Sequence, residues 1–319
     1  MKKVRVGLIG AGGMANRVHY PSLAEFADVE MAALCDLDEK KLRATADKFH
    51  VERAYTDYKK MLAEVDPEAV YILMPPHHLF DLVIECLNQK RHVFIEKPPG
   101  VTREQTRNMA LAAEKNGCLT MVGFNRRYIP LIREARRRVD ECGPMLQCVS
   151  TFYKSSLGAR PYFGGAIDVL TCDAVHAVDM LRYMGGEPAR VASDVRSLHA
   201  AYDNSFNALI RFESGCAGVL LTNWVVGRRV HTFEMHAKGI SAFIDGDDKA
   251  IIHQSGQEDP LVLDTRAVAG SSDSRTYYGF AGENRHFIDC IQEGHQPETC
   301  FADAVKTMEL VERIYRSQI

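Results

Sequence analysis

The 319-residue sequence has a single tryptophan, no Cys-x-x-Cys pair and no long apolar run. A bilayer-spanning helix needs about 20 predominantly apolar residues, and no segment supplies them, so no membrane is expected as a partner. The cysteines stand at 35, 86, 118, 142, 148, 172, 216, 290 and 300. Their odd number and scattered spacing exclude a zinc knuckle or a disulfide framework and point to reduced thiols. Met-Lys-Lys leads directly into a strand-like segment with no apolar signal region, and with the thiols this predicts a cytoplasmic protein. A net charge of −3 gives no broad pull toward nucleic acid or anionic lipid. The arginines between Arg133 and Arg138 are interrupted by Glu134, which reads as a solvated helix face rather than a phosphate patch. Repeats and low-complexity tracts are also absent.

What remains is a chain of ordinary globular composition, long enough for two domains. Its strongest local signal is Val4–Ala15, where an apolar strand runs into a glycine loop and then a helix. Gly10 permits a tight turn, Gly12 lets a pyrophosphate approach the backbone, and Ala15 takes the small third position that allows close helix–strand packing. The phosphates of such a ligand lie at the positive end of the helix. Gly13 and Met14 follow in the same loop and are assigned to the same cofactor site. A second strand, 29–35, ends in Asp36, where a carboxylate holds the ribose hydroxyls of NAD. Leu37 and Asp38 follow, with no arginine or small hydroxyl residue to receive a 2′-phosphate, so NAD rather than NADP is the expected cofactor.

The first third alternates strands (4–9, 29–35, 69–74, 92–95, 118–123) with helices, the pattern of a doubly wound parallel sheet. Pro21 is expected to break the first helix or end it early. Thr102 and Gln105 form a capping box opening the helix to Asn116. Pro75, after the strand at 69–74, belongs with the cofactor residues. His77 and His78 beside it are read equally as loop residues or cofactor contacts. After Gly123 the pattern changes. Helices at 130–141 and 173–183 flank a strand at 145–154, and six strand-like segments then follow in hairpin succession from 189 to 254, implying an antiparallel sheet. Residues 255–276 read as a loop, and helices 279–293 and 301–317 close the chain. The expected fold class is thus α/β, with a doubly wound dinucleotide-binding domain at 1–123. A second α/β domain, with an open and mainly antiparallel sheet for substrate binding and oligomerisation, is expected at 124–319.

The strand at 92–95 runs into Glu96-Lys97-Pro98, and ligands of open α/β sheets bind beyond the carboxyl ends of the strands. With the glycine loop, Asp36, Val122-Gly123-Phe124-Asn125-Arg126-Arg127-Tyr128, His176-Ala177-Val178-Asp179-Met180-Leu181-Arg182-Tyr183 and the closing Ile314-Tyr315-Arg316-Ser317, this tripeptide makes the chain resemble the Gfo/Idh/MocA family over nearly its whole length. The resemblance implies a Rossmann domain, nicotinamide chemistry on a sugar, inositol or similar polyol, and a homodimer or homotetramer. It gives Lys97 the stabilisation of a developing alkoxide and a share in proton relay, and His176 the role of general acid/base. Glu96 and Lys97 are also counted with the cofactor-binding residues, and Glu96 is expected to orient Lys97 or pair locally. Asp179 is expected to be structural, orienting His176 or pairing with Arg182.

Two positions depart from the family pattern. The aspartate one turn before the histidine is replaced by Cys172, and Asp173 is the candidate substitute. The histidine four residues beyond the first proline of the 75–79 loop is replaced by Leu79. Asn125, Arg126, Arg127, Tyr128, Lys154, Arg160, Tyr162 and Asp168 are the polar residues expected around substrate, about half of them in structural roles. Of these, Asn125, Arg127, Tyr128 and Lys154, with Asp173 and His176, are assigned to substrate binding. No metal site is expected. Trp224 reads as packing rather than a sugar-stacking surface. Two other functions share the pattern: a sugar-modifying enzyme that retains NAD and oxidises transiently, and a ligand-sensing regulator without catalysis. Apolar residues including Val219, Leu221, Phe233 and Met235 are expected on the open sheet face and predict self-association there.

Overall fold

A computed structural model describes residues 3–319 of the chain, which fold as two compact units. The first runs through Gly123 and also takes in Phe280–Val305; the second contains Phe124–Gly279 and Lys306–Ile319. Residues 280–305 return to the first unit because the late helix carries an apolar face that packs against β1, β6 and the first helix.

The first unit is built on six parallel strands: β1 (Val4–Ile9), β2 (Val29–Cys35), β3 (Ala54–Tyr55), β4 (Ala69–Ile72), β5 (His92–Glu96) and β6 (Thr120–Gly123). Their order is β3-β2-β1-β4-β5-β6. It reverses direction between β1 and β4, which opens a ligand crevice at their carboxyl ends. The connecting helices are α1 (Tyr20–Ala24), α2 (Glu39–Phe49), α3 (Tyr58–Val65), α4 (Phe80–Asn88) and α5 (Arg103–Asn116). Thr102 caps α5 as expected, accepting from Gln105 N–H at 3.2 Å, while Gln105 Oε1 accepts from Val101 N–H at 3.0 Å. Pro21 does not break the first helix. It sits in the first turn of α1, where its missing N–H costs little, and a wide π-type turn at Ala15–His19 precedes it.

In the second unit lie α6 (Pro130–Glu141), β7 (Gln147–Ser155), α7 (Val175–Gly185), β8 (Pro188–Arg196), β9 (Ser205–Phe212), β10 (Ala217–Asn223), β11 (Val225–Ala237), β12 (Ile240–Asp245), β13 (Lys249–Gln254) and β14 (Leu261–Asp264). Short helices α8 (Thr265–Ala269) and α9 (Ser274–Tyr277) follow; α10 (Phe280–Glu293) and the start of α11 (Phe301–Arg316) belong to the first unit. The 255–276 stretch, expected as loop, thus contains β14 and α8. The sheet order is β14-β13-β12-β11-β7-β10-β9-β8, antiparallel throughout except for the β7–β10 pair. The arginine-rich face of α6 is laced by Glu134, whose carboxyl is held down at about 2 by hydrogen bonds from Arg137 and Arg138.

Helices α6 and α7 cover one face of this sheet. Phe233 and Met235 point into that core, only 2% and 0% exposed, and not to the open face where they were expected. Pairing explains it: Leu221 lies opposite Thr151, which lies opposite Thr232, so Leu221 shares a face with Thr232 and Phe233 takes the other. The open face instead carries a register row across all eight strands, Ala192-Leu209-Val219-Val149-Glu234-Phe243-Ile251-Val262. Among the described residues no helix is long and apolar enough to cross a membrane, no cluster suited to a metal ion occurs, and all nine cysteines are free thiols.

Candidate active site

In the first unit the glycine loop turns as its residues require. Gly10 has φ 102°, a conformation that favours glycine, and a Cβ there would strike the Leu73 carbonyl. Its N–H donates to Cys35 O at 2.8 Å, and Tyr20 Oη donates to its carbonyl at 2.5 Å. A Cβ on Gly12 or Gly13 would meet nothing within 4 Å, so the backbone there faces open space. Met14 stays in the first helical turn, its sulfur accepting weakly from Arg17 at 3.5 Å. At the end of β2, Asp36 is fixed by two backbone donors: Ala11 N–H to Oδ2 at 2.6 Å and Asp38 N–H to Oδ1 at 2.8 Å. Two acceptor sites of the carboxylate remain for a diol. Gly10, Gly12, Asp36, Leu37, Met74 and Pro75 line one cavity of about 560 Å³, joined by Lys41 and His78. Lys41 is drawn toward Asp38, 3.1 Å away. Burial beside Asp36 pushes the Cys35 thiol up to about 12, so it stays protonated. An open glycine backbone next to a pre-aimed carboxylate fits an adenosine dinucleotide.

At the end of β5, Glu96 makes two contacts. Its Oε2 accepts the Lys97 N–H at 3.1 Å, and its Oε1 meets His19 Nε2 at 2.7 Å. His19 is fully buried, and its Nδ1 lies 3.3 Å from Asn284 Oδ1 on α10. Burial alone would raise the Glu96 carboxyl, but His19 and Lys97 outweigh it and hold the group below its ordinary 4.5. His19 and Asn284 escaped the sequence reading. His19 stands among other polar residues, Asn16, Arg17 and Ser22, so nothing local singles it out, and its partner lies far along the chain.

The second unit brings its expected residues together unevenly. A wide turn at Leu170–Ala174 leads into α7 and places Asp173 and His176 one turn apart, both buried. Asp173 Oδ2 gathers the Lys154 ammonium and, at 2.6 Å, the Tyr162 hydroxyl. Burial and the Asp173 charge raise the Tyr162 phenol, keeping it a donor. Trp224 Nε1 donates to the same hydroxyl at 3.4 Å, and the indole, 2% exposed, packs edge-on against Phe152.

Arg126 Nη1 donates to His176 Nε2 at 2.9 Å and to Asn125 Oδ1 at 2.6 Å. A guanidinium only donates, so in this contact Nε2 is the acceptor. Arg127, expected near substrate, is buried instead. Its Nε and Nη2 reach the two oxygens of Asp179 at 2.8 and 2.5 Å. Asp179 is therefore structural as expected, but its partner is Arg127 rather than Arg182, which donates to Thr307. Tyr128 is buried beneath the Arg133 guanidinium, and Asp168 accepts from Thr171 N–H and Tyr315 Oη. Arg160 is exposed.

Fold and site together define the class: an α/β oxidoreductase with a dinucleotide-binding unit. The chain belongs to the Gfo/Idh/MocA family, matching the model of the oxidoreductase family with NAD-binding Rossmann fold over residues 4–124 and that of the GFO/IDH/MocA C-terminal domain over 133–242. It is 25% identical to the scyllo-inositol 2-dehydrogenase (NAD(+)) of Bacillus subtilis, across 97% of this chain and 92% of that one. It is also 25% identical to D-xylose 1-dehydrogenase (NADP(+)) 2 of Haloferax volcanii, across 98% and 96%. A dehydrogenase structure from Chromobacterium violaceum shares the fold, with TM-score 0.90, 24% identity and coverage of 100% and 96%.

Proposed function

We propose that the protein is an NAD(H)-preferring oxidoreductase acting on a secondary alcohol or ketone of a sugar, inositol or similar polyol. The observation that carries this reading is the accepting Nε2 of His176, met by Arg126 at 2.9 Å, one turn from the Asp173–Tyr162–Lys154 cluster. A neutral Nε2 is the form that takes a hydroxyl proton. The open backbone at Gly12 and the fixed carboxylate of Asp36 would hold a nicotinamide dinucleotide, which would supply the hydride-transfer chemistry. Lys97, its backbone tethered to Glu96, supplies positive charge to the developing alkoxide. Lys154 and Tyr162 hold Asp173, and all three present hydrogen-bonding groups suited to a polyhydroxylated ligand. Relatives that act on inositol and xylose support the substrate class.

The preference for NAD rests on Asp36. Its fixed carboxylate bonds ribose hydroxyls and repels a 2′-phosphate, while the nearby Lys41 is matched by Asp38. The row on the open sheet face, apolar except for Glu234, supports a homodimer or homotetramer, with Leu209, Phe243 and Val262 at 59%, 42% and 55% exposure. The test is NADH formation by the full-length protein over a panel of polyols and aldoses. Turnover of at least one secondary alcohol is expected. Binding of sugar-like ligands without any redox change would replace this reading with that of a sensor.

A further inference from the structure

The surroundings of Arg126 carry a consequence for substrate class. Its guanidinium is half-buried and held by neutral groups only: Asn125 Oδ1 at 2.6 Å, His176 Nε2 at 2.9 Å and the ring of Tyr278, 5.1 Å from the guanidinium carbon. Its Nε is buried without a hydrogen-bond partner, and among the described residues no carboxylate lies within ion-pair distance. Neighbouring charges are balanced: Lys154 by Asp173, Arg127 by Asp179 and Arg229 by Asp247. Arg229 also donates to Tyr278 Oη at 2.8 Å, which fixes the ring that Arg126 covers.

A cation partly withdrawn from water costs free energy unless an anion meets it. Arg126 therefore stands as an uncompensated positive charge beside the imidazole read above as the proton acceptor. The contact has a second effect. The Nε2 lone pair, which must take the substrate proton, is occupied by the Arg126 N–H as long as that arginine stays in place.

We propose that the substrate is a polyhydroxy carboxylate, an aldonate or uronate rather than a neutral polyol, whose carboxylate seats on Arg126 and draws it off His176. A planar guanidinium matches a carboxylate in a two-bond geometry, and a single unmatched cation suits a monoanion. Seating the carboxylate and freeing the base are then one event, so substrates without the anion leave His176 capped. The inference rests on the oxidoreductase reading of this same site and narrows its substrate.

The matched pairs D-gluconate with D-glucitol and D-glucuronate with D-glucose test it. They are compared by kcat/KM for NADH formation and by quenching of the single Trp224 in the NADH complex. A charge-assisted contact predicts a preference of about 10- to 100-fold for the acid in at least one pair. Arg126→Gln should collapse that ratio by the same factor, and Arg126→Lys should restore part of it. Equal or better use of the neutral partners by the unaltered protein overturns the inference, as does a ratio unchanged in Arg126→Gln, or no Arg126-dependent binding of either acid. Acids that quench Trp224 in an Arg126-dependent way without being oxidised would leave the anion site standing and remove the hydride-transfer reading. Good turnover of neutral polyols with no acid binding would do the reverse.

Discussion

The pair Arg127–Asp179 separates a structural arginine from a substrate-binding one. Both side chains are almost wholly enclosed, at 7% and 1% exposure. Two bonds of 2.8 and 2.5 Å join them, Thr307 Oγ1 donates to Asp179 Oδ1 at 2.9 Å, and Arg182 Nη1 donates to Thr307 at 2.8 Å. Asp179→Asn keeps the shape and deletes the charge that both bonds of the enclosed guanidinium reach. Breaking a buried pair from one side costs about 3–5 kcal/mol, a large part of the roughly 5–15 kcal/mol that keeps a domain folded. With a urea slope of about 2 kcal/mol/M, the midpoint should fall by about 2 M. Trp224 lies in the same unit and is buried, so its fluorescence reports the unfolding of that unit. The double variant Arg127→Met with Asp179→Leu should recover most of the loss, because no charge is then left alone. A loss under about 1 kcal/mol in Asp179→Asn would refute this. If the same variants raised KM at least about 100-fold with unchanged stability, Arg127 would be a ligand contact after all.

Three further outcomes follow. Asp36→Ala should erode a preference for NAD over NADP, measured as the ratio of kcat/KM values; equal or better use of NADP by the unaltered protein contradicts the role given to Asp36. Asp173→Asn should depress turnover and shift the pH profile of the remaining activity while Cys172→Ala stays nearly silent, and the opposite pattern means that proton transfer does not depend on Asp173. Leu209→Asp with Phe243→Glu, placed in the apolar row, should lower the mass seen by light scattering at micromolar concentration, and a monomeric unaltered protein defeats the assembly proposal.

Legibility followed the range of the interaction. The glycine loop, Asp36, the capping box at Thr102 and the parallel sheet were readable because each is local or strongly periodic. Strand β3 has two residues and α3 has eight, too short to announce a period. The placement of Phe233 and Met235 failed for a different reason: β11 carries an irregularity between Val225 and Val230, and its face is fixed by pairing with β7, some 80 residues earlier in the chain. The polar residues of the candidate site could be named from the sequence, but the contacts each one makes could not. Arg126 and Arg127 are adjacent in sequence, yet one lies against His176 and the other is locked on Asp179. His19 acquires its meaning only from Glu96 and Asn284, contacts formed by folding alone.

The central claim is hydride transfer supported by Lys97 and His176, and it is tested most directly by comparing His176→Ala and Lys97→Ala with the unaltered protein on its best alcohol. A positioned base contributes about 10²- to 10⁴-fold. His176→Ala should lose turnover in that range and Lys97→Ala at least as much, both with NADH affinity largely kept. Turnover within about threefold of the unaltered protein in either variant would contradict the account.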